Sequence, residues 1–238
     1  MPQSLPDAAT ALANLGQRVQ IARALATISE ARAVYGERLA LVSSFGADSV
    51  VLLHLAASAD PSIAVLFIDT GRHFPETLAY VDELQALLGL TNLIRVRPQR
   101  EEIARLDPRA ERASYDPDGC CDLRKTRPLD AALGAYDAWI SGRKRFQAAT
   151  RETLDLVEGD GARMKVNPLA DWTGADIEAY RIAHDLPQHP LKSQGYPSIG
   201  CAPCTSRVAE GEDPRSGRWR GFDKTECGIH YINAGEGI

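Results

Sequence analysis

The sequence predicts an α/β fold with an open, mostly parallel sheet flanked by helices. Residues 63–69 form a run that is hydrophobic at nearly every position, as expected of a strand buried on both faces of a parallel sheet. Residues 75–88 have helical periodicity, with Pro75 at the start and Gly89 after the end. Strands and helices alternate in this way along much of the chain, which favours a parallel sheet because the helices connect its strands.

The hydrophobic pattern places each element in turn. Strands are predicted at residues 39–42, 63–69, 92–97, 138–141 and 164–169. Helices are predicted at residues 8–35, 50–57, 75–88, 121–133 and 173–185. Thr173 is the predicted N-cap of the last helix, with Asp176 in the capping-box position. The polar stretch at 107–119 is predicted to be a loop.

Length and composition limit the class of protein. The 238 residues, 44% hydrophobic and 25% charged, suit a single domain at 1–238, with a core at about 36–207 and an irregular, mobile C-terminal tail at about 208–238. No apolar run is long enough to cross a bilayer, and the N-terminus lacks a secretory signal, so a cytoplasmic protein without membrane contacts is expected. The net charge of −5 argues against nucleic-acid binding. Assembly into a homo-oligomer is left open.

Two loops that follow predicted strands are candidate nucleotide-binding segments. The first lies between the strand at 39–42 and the helix at 50–57, where backbone N–H groups and the helix dipole favour an anion. It matches neither the Walker nor the Rossmann glycine pattern. The second follows the strand at 63–69, and open parallel sheets bind ligands beyond the carboxyl ends of their strands. The candidate residues are Ser43, Ser44, Phe45, Gly46, Asp69, Thr70 and Gly71.

The five cysteines divide into four plus one. Cys120 and Cys121 are adjacent, and Cys201 and Cys204 form a Cys-x-x-Cys turn much later in the chain. Four thiolates hold either zinc or an iron–sulfur cluster. Adjacent cysteines are awkward ligands for one tetrahedral ion, whereas a [4Fe–4S] cube offers a separate iron to each thiolate. Cys227 stands alone among charged residues and glycine, as an exposed, reactive thiol would.

Three longer motifs carry a resemblance to a known family. They are Asp-Thr-Gly-x-x-Phe-Pro-Glu-Thr at 69–77, Cys-Cys-x-x-Arg-Lys-x-x-Pro-Leu at 120–129 and Glu-Cys-Gly-x-His at 226–230. With them the chain resembles, from about residue 39 to 230, the phosphosulfate reductases, which reduce adenylyl sulfate or its 3′-phosphorylated form. The loop after the first strand resembles the Ser-Gly-Gly-x-Asp-Ser loop of the adenine nucleotide alpha-hydrolase superfamily, with Phe45 in place of a glycine. The resemblance therefore implies that superfamily's fold.

The second motif is typical of the cluster-bearing adenylyl-sulfate reductases, and this resemblance implies a mechanism. Cys227 attacks the sulfur of adenylyl sulfate, AMP leaves, and thioredoxin or glutaredoxin, as an external reductant, releases sulfite from the S-sulfocysteine. Lys125 lies between cluster and substrate, and His230 holds the tail over the substrate or binds an anion. The implied ligands of the [4Fe–4S] cluster are Cys120, Cys121, Cys201 and Cys204.

The resemblance also implies which arginines contact the substrate. Arg215 and Arg218 correspond to family arginines that clasp the phosphosulfate, since a planar guanidinium pairs bidentately with tetrahedral oxyanions. Arg145 and Arg151 are carried over from a segment that departs from the family pattern. The departures are Lys144, Phe146 and Ala148.

Three other functions compete with this one. The nearest is the same chemistry on 3′-phosphoadenylyl sulfate, or on both nucleotides. Relatives that lack the cluster prefer the phosphorylated substrate, some that bear it accept both, and the four cysteines here favour adenylyl sulfate. An ATP-dependent adenylating or tRNA-thiolating enzyme on the same fold would leave the motif at 226–230 without a role. A non-enzymatic iron–sulfur sensor would explain the four cysteines but neither that motif nor residues 69–77.

Overall fold

The computed structural model describes residues 8–147, 151–224, 226 and 228–229, with side chains from residue 14 onward. This part of the chain contains a six-stranded sheet in the order β3-β2-β1-β4-β6-β5. The strands are β1 Leu39–Ser43, β2 Ala64–Ile68, β3 Leu93–Val96, β4 Ala138–Ile140, β5 Val157–Asp160 and β6 Arg163–Val166. Every neighbouring pair is parallel except β5 with β6. The predicted open, mostly parallel sheet is confirmed.

Helices flank the sheet and connect its parallel strands. They are α1 Ala8–Tyr35, α2 Ser49–Ala59, α3 Pro75–Leu87, α4 Arg100–Leu106, α5 Pro117–Cys121, α6 Arg127–Leu133 and α7 Gly174–Ala183. A π-helical turn, Asp122–Thr126, joins α5 to α6, so the chain is helical throughout the Cys-Cys motif. Within the described residues, no helix combines the length and the apolar character needed to cross a membrane.

Local hydrogen bonds explain where two of these helices begin. The predicted capping box at α7 is confirmed: Thr173 Oγ1 accepts from Asp176 N at 3.2 Å, and the Asp176 carboxylate accepts from Thr173 N at 2.7 Å. The prediction of a loop up to residue 119 is wrong, because α5 begins at Pro117. Asp116 is its N-cap, and the Asp116 carboxylate accepts from Gly119 N at 2.8 Å.

The central strands are buried on both faces, and successive residues alternate between two hydrophobic cores. All five residues of β1 and all five of β2 are buried. Leu41 and Phe67 pack with α1, α2, α3 and α7, while Leu66 packs with α6 on the opposite face. Because both faces are covered, these strands read as continuous apolar runs in the sequence. Ile28 of α1 is fully buried in the first core.

The strand order brings three loops to one edge of the sheet. β1 pairs with β2 on one side and with β4 on the other, and all three run in the same direction. The loops that leave their carboxyl ends, at 44–48, 69–74 and 141–144, therefore lie at the same edge. This is a topological switch point, where open α/β sheets bind their ligands.

Candidate active site

A cavity of about 310 Å³ lies at the switch point. Its wall combines the loops after β1, β2 and β4 with the chain before Cys201 and with the C-terminal part of the described chain. Groups from remote parts of a sequence converge in this way at binding sites. The predicted site residues that line the cavity are Ser43, Ser44, Gly46, Lys125, Arg151, Arg215 and Arg218.

The loop after β1 is fixed by short-range hydrogen bonds. Ser43 Oγ accepts from Phe45 N at 3.1 Å, and Ser49 N donates to Gly46 O at 3.1 Å. Phe45 has a left-handed backbone (φ 50°), the conformation that favours glycine. Its side chain is fully buried, 5.4 Å from Phe67 between ring centroids, and does not belong to the described cavity wall. The loop thus presents serine and glycine to the cavity and phenylalanine to the core.

Two of the predicted arginines converge on one carboxylate in the cavity. Arg151 Nη2 lies 2.7 Å from Glu226 Oε1, and Arg215 Nη2 lies 3.5 Å from Glu226 Oε2. The side chains of Arg151 and Glu226 are only 8% and 10% exposed. A carboxylate already occupies the space between these guanidinium groups, so the same space suits an anionic group of a ligand.

A buried lysine adds to the positive charge of the wall. Lys144 is 3% exposed, donates to Gly142 O at 3.2 Å and lies 3.7 Å from Asp48. Burial lowers the pKa of Lys144, and the nearby Asp48 carboxylate opposes that shift. The sequence run at 143–145 indicates a basic patch but not which side chain faces inward. Cavity residues for which sequence reasoning predicted no role include Asp48, His73, Arg143, Lys144, Trp219 and Glu226.

Arg145, a predicted substrate contact, lies outside the described cavity wall. Its Nε and Nη2 donate to Leu154 O at 2.9 and 2.6 Å, and its guanidinium forms an ion pair with Asp171. Through these contacts Arg145 connects the segment after β4 to Leu154 and Asp171. Lys144, one position earlier, faces the cavity instead.

The loop Asp69-Thr70-Gly71, also predicted to contact substrate, faces a second and more open cavity of about 600 Å³. Asp69 Oδ2 accepts from Arg97 Nε at 2.9 Å. Thr70 Oγ1 lies 3.3 Å from Cys201 Sγ, and Thr70 O accepts from Arg124 at 3.0 Å. Thr70 thus contacts Cys201 directly and, through Arg124, the helical segment that carries the first cysteine pair.

The four predicted ligand cysteines come together from two segments. Cys120 and Cys121 end α5, whereas Cys201 and Cys204 lie on a turn whose Ala202 N donates to Arg72 O at 2.8 Å. All four are thiols; Cys204 is partly buried and the other three are buried. The loop after β2 therefore holds both pairs against one another.

Burial and neighbouring cysteines raise the pKa of two of these thiols. Burial, and next the neighbouring Cys201, raise the pKa of Cys120 to about 11. Burial raises the pKa of Cys204 as well, with further contributions from Cys201 and Cys121. At these two positions burial therefore favours the neutral thiol. Within the described ranges, no group of three or more His, Cys, Asp or Glu side chains could hold a single metal ion.

Two predicted catalytic residues, Cys227 and His230, lie outside the described residues. The described neighbours of Cys227 reach the cavity: Glu226 and Ile229 both line it. Gly228 is also close to the segment after Lys125, because a Cβ added to it would lie 3.6 Å from Thr126 Oγ1. The roles of Cys227 and His230 remain predictions.

The fold and the site define an α/β protein with a cation-lined cavity at its switch point and four clustered thiols beside it. The family model of the phosphoadenosine phosphosulfate reductase domain matches residues 38–207, and the chain belongs to this family. Over 200 residues it is 52% identical to an adenosine 5′-phosphosulfate reductase of Mesorhizobium japonicum, covering 84% of this chain and 79% of the relative. It is 42% identical over 226 residues to a phosphoadenosine 5′-phosphosulfate reductase of Gloeobacter violaceus, covering 93% and 94%.

A solved structure supports the same family. The crystal structure of phosphoadenylyl-sulfate reductase from Candida auris, a phosphate complex, aligns with a TM-score of 0.63 and 25% sequence identity. The alignment covers 87% of this chain and all of that chain. The predicted family and fold class are therefore confirmed.

Proposed function

We propose that the chain reduces adenylyl sulfate to sulfite and AMP, with thiols as the source of electrons, in sulfate assimilation and cysteine biosynthesis. The observation that carries the proposal is the cavity of about 310 Å³, in which Lys125, Arg151, Arg215 and Arg218 surround the space between the β1 loop and the chain next to Cys227. Relatives named adenosine 5′-phosphosulfate reductase support this substrate. We also propose that residues 1–238 act as one reductase domain.

The cavity suits a nucleotide that carries a phosphosulfate group. Adenylyl sulfate brings negative charge on both phosphate and sulfate, and the phosphate of AMP gains a further negative charge as the S–O bond breaks, because its oxygen keeps the electron pair. Fixed cations around the group neutralise the charge without having to reorganise during the reaction. Arg151 and Arg215 already hold the Glu226 carboxylate in this way. The phosphate complex of the Candida auris enzyme supports an anion site in this fold.

The proposed reaction is a transfer of the sulfonate group to a thiol. The Cys227 thiolate attacks the sulfur of adenylyl sulfate, the bond between that sulfur and the bridging oxygen breaks, and AMP leaves with the electron pair. A thiolate of a reduced dithiol protein then attacks Cys227 Sγ, which expels sulfite and leaves a mixed disulfide. The second thiol of that protein resolves the mixed disulfide and restores Cys227. The dithiol supplies both electrons, and thioredoxin or glutaredoxin has the required chemistry.

We further propose that the four thiols hold a [4Fe–4S] cluster. The fit rests on the chemistry of the donor set: four free cysteines lie on two segments, and both segments contact the loop after β2. A cube spaces its four thiolates over separate irons and does not require them to meet at one ion. When bound, the cluster would supply a cross-link between the two segments and a fixed charge beside Lys125, without changing its oxidation state in turnover. The ligands would be Cys120, Cys121, Cys201 and Cys204.

The second candidate is the same reaction on 3′-phosphoadenylyl sulfate. The Gloeobacter violaceus relative, which matches 93% of the chain, is named for that substrate. The four cysteines favour adenylyl sulfate, because their pattern resembles that of the cluster-bearing branch. Both candidates use the same thiol chemistry, so the difference between them is the recognition of one phosphate.

We propose that the protein acts in the cytoplasm, because the reaction needs a reduced dithiol protein and thiols stay reduced in that compartment.

Turnover with each nucleotide tests the proposal. Protein purified without oxygen, with its iron and acid-labile sulfide quantified, is given adenylyl sulfate or 3′-phosphoadenylyl sulfate together with reduced thioredoxin. We expect sulfite and AMP at a higher kcat/KM for adenylyl sulfate, and about four irons per chain by the stoichiometry of such a cluster. Preference for the phosphorylated nucleotide would support the second candidate, and absence of sulfite from both by iron-loaded protein would contradict the proposed function.

A further inference from the structure

Trp219 carries a buried hydrogen-bond donor that the proposed mechanism has not used. Its side chain lines the cavity and the residue is 4% exposed. The indole Nε1 is buried and has no hydrogen-bond partner among the described residues. Buried N–H groups are nearly always paired in folded proteins, so an orphaned one in a cavity wall indicates a partner that arrives from the cavity. Trp139, which also lines the cavity, contrasts with it by donating to Asp160 at 2.8 Å.

A second orphaned donor lies on the preceding residue. Arg218 Nε is buried without a partner in the described part of the chain, and Arg218 lines the same cavity. The Arg218 guanidinium carbon lies 4.4 Å from the centroid of the Trp219 ring, and Lys224 Nζ lies 5.5 Å from that centroid. Both unpaired groups are hydrogen-bond donors, and both lie close to positively charged side chains. The complementary ligand group is therefore an oxyanion.

The backbone holds the indole in a defined position. Trp219 N donates to Cys204 O at 3.0 Å, and Phe222 N donates to Trp219 O at 2.9 Å. Trp219 has a left-handed backbone (φ 48°), which is unfavourable for a residue with a bulky side chain. Such conformations persist where surrounding contacts enforce them, and they are concentrated at ligand sites. The hydrogen bond to Cys204 O thus fixes the position of Trp219 relative to the turn that carries Cys201 and Cys204.

From these observations we infer that Trp219 Nε1–H donates a hydrogen bond to an oxygen of the substrate's phosphosulfate group, beside the Arg218 guanidinium. The inference rests on the proposed function and adds a neutral donor to the cations of the cavity. A neutral donor satisfies an oxyanion lone pair without adding another positive charge to the crowded arginines. Phosphate and sulfate oxygens have the same chemistry as acceptors, and AMP, which has only the phosphate, separates them.

The indole proton itself provides the first test. Protein labelled with ¹⁵N in its tryptophans is titrated with AMP, and the Cys227→Ser form, which cannot turn over, is titrated with adenylyl sulfate. We expect the Trp219 indole resonance to move downfield, while that of Trp172, which lies outside the described cavity wall, changes little. A shift with both ligands assigns the phosphate oxygen, and a shift with adenylyl sulfate alone assigns the sulfate oxygen. Saturation with both ligands without a Trp219 shift would overturn the inference.

The Trp219→Phe variant provides a second test, since it retains an aromatic ring beside Arg218 and removes the N–H donor. We expect kcat/KM for adenylyl sulfate to fall about 10- to 100-fold, the effect of one hydrogen bond to a charged group. Trp172→Phe is the matched control: Trp172 is also buried, lies outside the described cavity wall and should keep the wild-type value. Equal kcat/KM in Trp219→Phe and wild type would contradict the inference. If Trp219→Phe does not fold, the indole titration decides.

Failure of this inference differs from failure of the proposed function. If the wild type makes sulfite but the Trp219 resonance stays in place, the function stands and the inference is wrong. If the wild type makes no sulfite from either nucleotide, the proposed function is wrong. Neither the AMP titration nor the titration of Cys227→Ser with adenylyl sulfate requires turnover, so the two together still decide whether Trp219 donates to a bound oxyanion.

Discussion

At the scale of single residues, the position of Arg218 depends on a neighbour that has no side chain. A Cβ added to Gly200 would lie 2.5 Å from Arg218 Cζ, well inside contact distance. Gly200 has no left-handed φ, so its backbone accepts alanine and only the space is at issue. Because the obstructed atom lies at the far end of a flexible side chain, Arg218 can move aside at little cost to the fold.

The Gly200→Ala substitution should therefore damage binding more than stability. We expect KM for adenylyl sulfate to rise about 10-fold, the loss of roughly one charged hydrogen bond, with a melting temperature close to that of the wild type. Gly16→Ala is a matched control, because nothing lies within 4 Å of a Cβ at that position. Unchanged KM in Gly200→Ala would show that Arg218 does not hold the substrate.

Single residues also show what the sequence can and cannot predict about the site. The motifs identify Lys125, Arg151 and Arg218 as cavity residues, because each follows a recognisable pattern. Pattern alone does not separate Lys144 from Arg145, since which of two adjacent side chains turns inward depends on how the segment after β4 packs. Likewise Phe45, in a glycine's place, keeps the left-handed turn because its burial against Phe67 compensates the backbone strain.

At the scale of elements, α3 is locked to the chain that precedes the second cysteine pair. His189 is fully buried and its Nε2 lies 3.0 Å from Thr77 Oγ1, while Tyr80 OH donates to Pro187 O at 2.9 Å. Leu191 N donates to His189 Nδ1 at 3.2 Å, which requires an unprotonated Nδ1. Burial lowers the pKa of His189 to about 4, with the Glu76 charge opposing the shift.

This histidine should make stability depend on pH. The pKa of His189 is about 4 in the folded chain and 6.5 for an ordinary exposed histidine, so the unfolded chain binds more protons between these values. Its stabilising contribution is complete above pH 6.5 and declines as the pH falls towards 4. We expect the wild type to lose about 2 kcal/mol more unfolding free energy than His189→Gln between pH 7.5 and pH 5, as followed by urea unfolding. Parallel losses in the two proteins would refute this.

The elements divide into those with a strong sequence signal and those without one. β1, β2, β3, β4 and β6 were all predicted. β1, β2 and β4 are buried throughout and therefore leave apolar runs, whereas β3 and β6 are only partly buried and still carry apolar residues next to charged ones. β5 was missed: its Val157, Glu158 and Gly159 are only partly buried or exposed, so no apolar run marks it. Short α4 was also missed, since none of its seven residues is buried.

At the scale of the whole molecule, charge is arranged locally rather than overall. The chain has a net charge of −5, yet one cavity gathers several cations. An acidic protein with a basic cavity attracts a small anion without becoming a general binder of nucleic acid. The cations come from distant parts of the chain, and only the parallel sheet brings them together. They are Lys125, Arg143, Lys144, Arg151, Arg215 and Arg218.

In two segments of the chain, one residue contacts the thiols or belongs to them, and the residue next to it lines the cavity. Arg124 and Lys125 are adjacent; Arg124 donates to Thr70 O at the thiols, and Lys125 lines the cavity. Gly200 and Cys201 are related in the same way, since Gly200 lines the cavity and Cys201 belongs to the thiols. The central proposal is therefore that a substrate held in this cavity transfers its sulfonate group to Cys227.

The most direct test is to incubate protein purified without oxygen with adenylyl sulfate carrying radioactive sulfur, in the absence of any reductant. We expect one labelled sulfonate per chain, located on Cys227 by peptide mass analysis and released as sulfite when reduced thioredoxin is added. Cys227→Ser should take up no label while keeping its affinity for AMP. Iron-loaded wild-type protein that takes up no label from adenylyl sulfate or from 3′-phosphoadenylyl sulfate would contradict the proposal.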